Sequence, residues 1–161
     1  MIFKPTAAFV FARPARVIAF GFGAGLAPFA PGTVGTLVAL PIWWALTPFV
    51  PDWGVLLLLI PLFALGVWAC GITGRDLGIA DSGSMVWDEI VAFLLILVFV
   101  PNELAWQAAA FFGFRFFDVV KPAPIRLVDM RFKGGFGVMI DDILAAGYTL
   151  LVLALVQRLF F

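Results

Sequence analysis

The chain is dominated by five apolar runs that short polar turns separate, and these runs indicate a helical membrane protein. Its 161 residues are 64% hydrophobic and only 12% charged, with a mean hydropathy of +1.13. Ordinary globular chains are far less apolar. A soluble helical protein with a very apolar core is the alternative. We expect one all-α domain spanning residues 1–161, folded as a compact helical membrane bundle of about four to five hydrophobic helices.

The apolar runs differ in length, and prolines mark their ends. The predicted spans cover residues 33–50, 54–74, 84–100, 103–120 and 138–161. A helix needs about 20 apolar residues to cross a bilayer, so only the second and fifth runs are securely long enough. The third and fourth runs are roughly 25 Å each at 1.5 Å per residue, and form either thin spans or a helical hairpin that dips into the membrane.

The basic residues predict the orientation of these spans. Lys4, Arg13 and Arg16 precede the first run, Arg75 follows the second, and five more basic residues lie between positions 115 and 133. The turns at the opposite ends of the runs contain no Lys or Arg. Because cytoplasmic loops carry the excess of Lys and Arg, the N-terminus and the basic loops are expected in the cytoplasm.

Acidic residues lie at the ends of three apolar runs, all on this predicted cytoplasmic side. They are Asp88, Glu89, Asp118, Asp141 and Asp142. Charge at the edge of a membrane span is costly and is usually functional. Acids that merely begin helices, where the helix dipole favours them, are the alternative. That alternative does not explain two adjacent pairs, nor an acid at the opposite end of a third helix.

Clustered carboxylates repel one another unless a cation joins them, so these five residues are candidate metal ligands and catalytic groups. The chain has no histidine, and its one cysteine lies within a predicted span. An all-oxygen site suits Mg²⁺, Mn²⁺ or Ca²⁺. Because Mg²⁺ commonly shares its coordination with phosphate oxygens, we expect a phosphorylated substrate.

Candidate phosphate-binding residues lie near the acids in the sequence. Arg115 and Lys121 stand three residues on either side of Asp118, close to one helix face. Gly134 and Gly135 precede the fifth run. A glycine pair at this place indicates either an anion-binding nest of backbone amides or a flexible entry to the span. Thr33 begins the first run as either a substrate contact or a helix cap.

The composition also excludes some functions. The absence of histidine excludes histidine-dependent phosphatases and a Ser-His-Asp triad. Ten basic and ten acidic residues balance, so the net charge says nothing about a nucleic-acid partner, and we expect none. A non-catalytic ion or lipid carrier is a second hypothesis, but carriers place their acids near mid-membrane.

Four segments carry a resemblance to a known family. They are GLAPFAPGTVGTLVALP (25–41), DSGSMVWDEIVAF (81–93), FRFFDVVKPAPIR (114–126) and GGFGVMIDDILAAGY (134–148). With these segments, in this order, the chain resembles the bacterial phosphatidylglycerophosphatase A family. One departure is Ala92-Phe93, where we expect a glycine soon after the acid pair; it affects helix packing more than chemistry.

The resemblance implies a Mg²⁺-dependent phosphatase of the bacterial inner membrane that converts phosphatidylglycerophosphate to phosphatidylglycerol and phosphate. It implies a compact all-helical domain, with the active site on the cytoplasmic side. The family's motifs fall on three sets of residues. These are the acid pairs Asp88-Glu89 and Asp141-Asp142, the Arg115–Asp118–Lys121 motif, and the loop Pro31-Gly32-Thr33.

Overall fold

Helices account for every regular element of residues 4–161, the part of the chain that this computed structural model describes. They are α1 (Ala7–Phe11), α2 (Pro14–Ala19), a 3₁₀ segment (Gly21–Leu26), α3 (Pro31–Leu46), α4 (Asp52–Leu77), α5 (Trp87–Phe99), α6 (Leu104–Val120), α7 (Ile125–Arg131) and α8 (Gly135–Phe160). The predicted all-α class is confirmed, and each predicted apolar run corresponds to one helix, from α3 to α6 and α8.

The number of helices that can cross a membrane differs from the prediction. Among the described residues, only α4 and α8 are long and apolar enough, at 26 residues each. At 1.5 Å per residue each is about 39 Å long. The helices α3, α5 and α6 have 16, 13 and 17 residues. The two candidate spans are the second and fifth runs, the two that were expected to be securely long enough, but they are fewer than the four to five helices predicted for the membrane bundle. The other three runs form shorter helices that pack beside the two long ones.

The centre of the molecule is α5, which contacts α3, α4, α6 and α8. Nearly all its side chains from Trp87 to Leu97 are buried. Phe93 stacks on Phe114 of α6 with 6.0 Å between ring centroids, so a glycine there would lose this packing. Because α5 is enclosed by four helices, the acids in its first turn are held inside the protein and not at its surface.

The N-terminus of α8 packs closely against α4, and this contact requires a glycine. A Cβ atom added to Gly135 would overlap the carbonyl oxygen of Val67. The helix begins at this glycine, three residues earlier than the predicted run. Asp141 and Asp142 consequently lie in its second turn. The helix dipole acts mainly within the first turn, so these two acids are not explained as helix-starting residues.

Three short elements that the sequence analysis did not predict precede α3. The last of them, the 3₁₀ segment Gly21–Leu26, leads into the loop before α3. Two contacts fix this region: the amide of Val86 donates to the carbonyl of Ala19 at 2.8 Å, and Arg16 Nε donates to Asp76 Oδ2 at 2.8 Å. The chain before α3 is thus held against the N-terminal end of α5 and the C-terminal end of α4.

Candidate active site

The structure brings the five predicted acids into one cavity of about 350 Å³, which we call the acid cavity. Three helices supply them: the first turn of α5, the C-terminal end of α6 and the second turn of α8. Arg115 and Lys121 line the same cavity, as do Pro31 and Gly32. Residues far apart in the sequence therefore meet where these helix ends converge.

Three of the acids form the core of this cavity. Asp88, Glu89 and Asp142 each offer a carboxylate oxygen within 4.8 Å of those of the other two. They are 7%, 8% and 3% exposed. Each has one buried oxygen without a hydrogen-bond partner among residues 4–161: Asp88 Oδ1, Glu89 Oε2 and Asp142 Oδ2. Unpaired buried charge is strongly unfavourable, so this arrangement fits a hard cation bound by oxygen ligands, as Mg²⁺ is.

The other two acids are paired with the basic residues of the cavity. Arg115 Nη1 donates to Asp118 Oδ2 at 2.5 Å and lies 3.6 Å from Glu89 Oε1. Lys121 Nζ donates to Asp141 Oδ2 at 2.7 Å. Burial favours the neutral lysine, but the hydrogen bond and charge of Asp141 outweigh this and raise the pKa of Lys121 above its usual range. Lys121 is thus held charged, and both cations lie beside the three-acid core.

Three predicted substrate-binding residues lie outside the acid cavity. Thr33 does not line it, although Pro31 and Gly32 do. Gly134 and Gly135 line a separate cavity of about 270 Å³ together with Arg75. Their contact with substrate stays a prediction, and the packing of Gly135 on α4 gives that glycine a structural reason.

Comparison with known proteins places the chain in a family. A family model described as phosphatidylglycerophosphatase A matches residues 17–157. The chain belongs to the phosphatidylglycerophosphatase A family. The phosphatidylglycerophosphatase A of Escherichia coli strain K12 is 44% identical over 135 residues, which cover 83% of this chain and 77% of the relative. That of Haemophilus influenzae is 42% identical over 147 residues, 90% of each chain.

A third relative of the chain is named for a different substrate. A putative phosphatidylinositol-3-phosphatase of Bacteroides thetaiotaomicron is 39% identical over 148 residues, which cover 88% of this chain and 92% of the relative. No solved structure matches the chain. The family confirms the predicted enzyme class, a phosphoric monoester hydrolase, and decides against the non-catalytic carrier.

Two acids near the site were not among the residues predicted from the sequence. Asp81 lines the acid cavity, and Asp81, Asp129 and Asp141 form a second group with oxygens within 4.8 Å. Lys121 Nζ lies 3.6 Å from Asp129 Oδ1, so an ammonium group already neutralises this group in part. Asp81 precedes α5 in a loop and Asp129 lies on the short α7, where no periodicity marks a position as facing the site.

A substitution at Gly32 tests how tightly the wall of the acid cavity is packed. A Cβ atom at this position would overlap Glu89 Oε1 and lie 3.2 Å from both terminal nitrogens of Arg115. We expect Gly32→Ala to lower kcat/KM by roughly 10- to 100-fold, because about 1 Å of displacement at a reacting centre costs that much. Steady-state kinetics would measure this, with the melting temperature as the folding control. Wild-type kinetics would contradict the close contact.

Proposed function

We propose that this chain hydrolyses phosphatidylglycerophosphate to phosphatidylglycerol and inorganic phosphate, with Mg²⁺ held by its buried acids. One observation carries the proposal. Asp88, Glu89 and Asp142 leave buried oxygens unpaired in the same cavity as Arg115 and Lys121. The names of the Escherichia coli and Haemophilus influenzae relatives supply the substrate.

The metal would be held by the three-acid core, and Asp118 and Asp141 are the remaining candidate ligands in the cavity. Bound there, Mg²⁺ would offset the carboxylate charge, polarise the phosphoryl group and lower the pKa of a bound water. The three carboxylates are fixed by the packing of α5 and α8. The protein would therefore present a preorganised site and would not need to collect ligands from mobile loops.

Arg115 and Lys121 would bind the phosphate oxygens. Asp118 accepts one hydrogen bond from Arg115, and a guanidinium group has five N–H donors, so donors remain for a phosphate group. The carboxylate of Asp141 accepts one hydrogen bond from the ammonium group of Lys121 and thereby orients it. Charge that develops on the transferring phosphoryl group would thus meet cations that are already positioned, which lowers the reorganisation needed in the transition state.

We place the enzyme in the bacterial inner membrane, with the acid cavity at its cytoplasmic edge. The outer faces of α4 and α8 expose large apolar side chains, including Leu57, Trp68 and Leu151 at 58%, 48% and 58%. Apolar surfaces of this kind normally contact lipid or a partner. A cavity at helix ends beside most of the basic residues would reach a lipid head group while the acyl chains stay in the bilayer.

Phosphatidylinositol 3-phosphate is a second candidate substrate, favoured by the name of the Bacteroides relative. It also presents a phosphomonoester on the head group of a membrane lipid. The acid cavity would bind the phosphomonoester and the metal, which the two lipids share.

Phosphate release from phosphatidylglycerophosphate in detergent micelles tests the function. We expect release that requires Mg²⁺, stops in EDTA and returns with excess Mg²⁺. Phosphatidylinositol 3-phosphate at the same concentration serves as the comparison lipid. Folded protein that releases no phosphate at any Mg²⁺ concentration would overturn the proposed function, and undiminished release in EDTA would overturn the role of the metal.

A further inference from the structure

A second cavity adjoins the acid cavity and belongs to no part of the mechanism above. It encloses about 390 Å³, and its lining includes Lys4, Leu26, Pro28, Pro31 and Ser84. Pro31 lines both cavities, and Gly83, the neighbour of Ser84, lines the acid cavity. We call it the outer cavity. One proline and one loop thus separate it from the three-acid core.

The walls of the outer cavity are fixed by backbone packing. A Cβ atom at Gly25 would overlap the carbonyl oxygen of Ser84, so the 3₁₀ segment lies directly against the loop before α5. The amide of Val86 in this loop also donates to the carbonyl of Ala19 at 2.8 Å. These contacts hold the outer cavity in register with the acid cavity.

The two cavities differ in charge. The acid cavity contains six acids and two cations, whereas Lys4 is the only charged residue among the described residues that line the outer cavity. Within residues 4–161, Lys4 forms no ion pair. A concave site with one cation and no acids suits an anion of low charge. Such an anion would lie beside the acid cavity, which needs cations to offset its carboxylates.

We propose that the outer cavity binds the phosphodiester of the lipid substrate through Lys4 while the terminal phosphomonoester lies in the acid cavity; this inference rests on the proposed function. Phosphatidylglycerophosphate carries both groups, joined by one glycerol unit. Two adjoining sites that share Pro31 match two phosphates separated by so short a linker. Phe29, next to Pro28, is 85% exposed and would contact the bilayer where the diacylglycerol part leaves the cavity.

Lys4 acts in substrate binding and not in the chemical step. The phosphodiester does not react, so its contact is equally strong in the ground state and the transition state. Such uniform binding lowers KM and leaves kcat unchanged. Lys4 is therefore a specificity-determining residue that favours lipids with a phosphodiester in addition to the phosphomonoester.

The first test compares Lys4→Met with Lys4→Arg in detergent micelles of phosphatidylglycerophosphate. We expect Lys4→Met to raise KM about tenfold, because the variant loses one charge-assisted hydrogen bond. Its kcat should stay within about twofold of wild type. Lys4→Arg should restore KM. Arg126→Met is the control, because Arg126 is an exposed cation on α7 that forms no ion pair among the described residues. We expect its KM to match wild type.

Competition experiments separate the two cavities. Inorganic phosphate probes the acid cavity, and glycerophosphoglycerol, which carries only the phosphodiester, probes the outer cavity. Lys4→Met should weaken inhibition by glycerophosphoglycerol about tenfold and leave inhibition by phosphate unchanged. An unchanged KM for Lys4→Met in an active enzyme, or equal effects on both inhibitors, would overturn this inference and leave the proposed function standing. A wild-type enzyme without phosphate release would overturn both.

Discussion

Asp142→Asn is expected to lower kcat for phosphate release by roughly 10³-fold, since metal stabilisation of phosphoryl charge amounts to several kcal/mol. Asp142 is 3% exposed, and its Oδ2 atom has no hydrogen-bond partner among residues 4–161. Its carboxylate lies within 4.8 Å of those of Asp88 and Glu89. Asparagine keeps the size of the side chain but removes its charge. The metal-free variant should therefore melt at the wild-type temperature or above it, because repulsion among the acids is relieved.

Two measurements check this prediction: kcat, and the rise in melting temperature that Mg²⁺ produces. Binding to the folded state alone stabilises a protein, so wild type should melt higher in Mg²⁺ and Asp142→Asn should lose most of that rise. Asp52→Asn is the matched control, an exposed acid in the first turn of α4. It should keep both activity and the Mg²⁺ response. Near-normal activity of folded Asp142→Asn would remove this residue from the proposed metal ligands.

Gly135→Ala is expected to destabilise the protein by about 3 kcal/mol, as severe overpacking does. The new Cβ atom would overlap the carbonyl oxygen of Val67 and lie 2.7 Å from the amide nitrogen of Gly71. Both neighbours are backbone atoms of α4, so neither can move aside as a flexible side chain would. Reversible unfolding in mixed micelles measures the change.

Gly147→Ala is the matched control on the same helix. No atom of residues 4–161 lies within 4 Å of a Cβ atom at this position, so alanine should stabilise α8 by roughly 0.5–1 kcal/mol. The pair also decides between two roles for Gly135. If Gly135 serves packing, the folded fraction of Gly135→Ala keeps its KM. Full stability with a raised KM would instead support the phosphate-binding role that the sequence predicts.

Much of the helical arrangement could be predicted, because apolar runs and prolines are local signals. The start of α8 could not. Gly134-Gly135 is a poor helix-forming sequence by propensity, yet the helix begins at Gly135 because only a glycine allows its close packing on α4. The two long candidate spans could be predicted from the lengths of the second and fifth runs. The place of the three shorter runs could not, since a short apolar run has the same composition whether it packs inside the bundle or crosses a bilayer.

The convergence of the acids was predictable from their positions at those ends of the apolar runs that the basic residues assign to one side. Their division into roles was not. Neighbours on a helix point about 100° apart, which suggests that one of two adjacent acids faces away from the site. The structure buries both Asp88 and Glu89, because α5 is surrounded by other helices. The pairing of Lys121 with Asp141 depends on tertiary contacts between α6 and α8 that no sequence spacing encodes.

Anomalous diffraction from crystals soaked in Mn²⁺, a substitute for Mg²⁺ with the same preference for oxygen ligands, tests the central claim most directly. We predict an anomalous peak within about 2–2.5 Å of carboxylate oxygens from Asp88, Glu89 and Asp142. A peak only between Asp81, Asp129 and Asp141, or no peak in the acid cavity of an enzyme that Mn²⁺ activates, would contradict the claim that the three-acid core holds the metal.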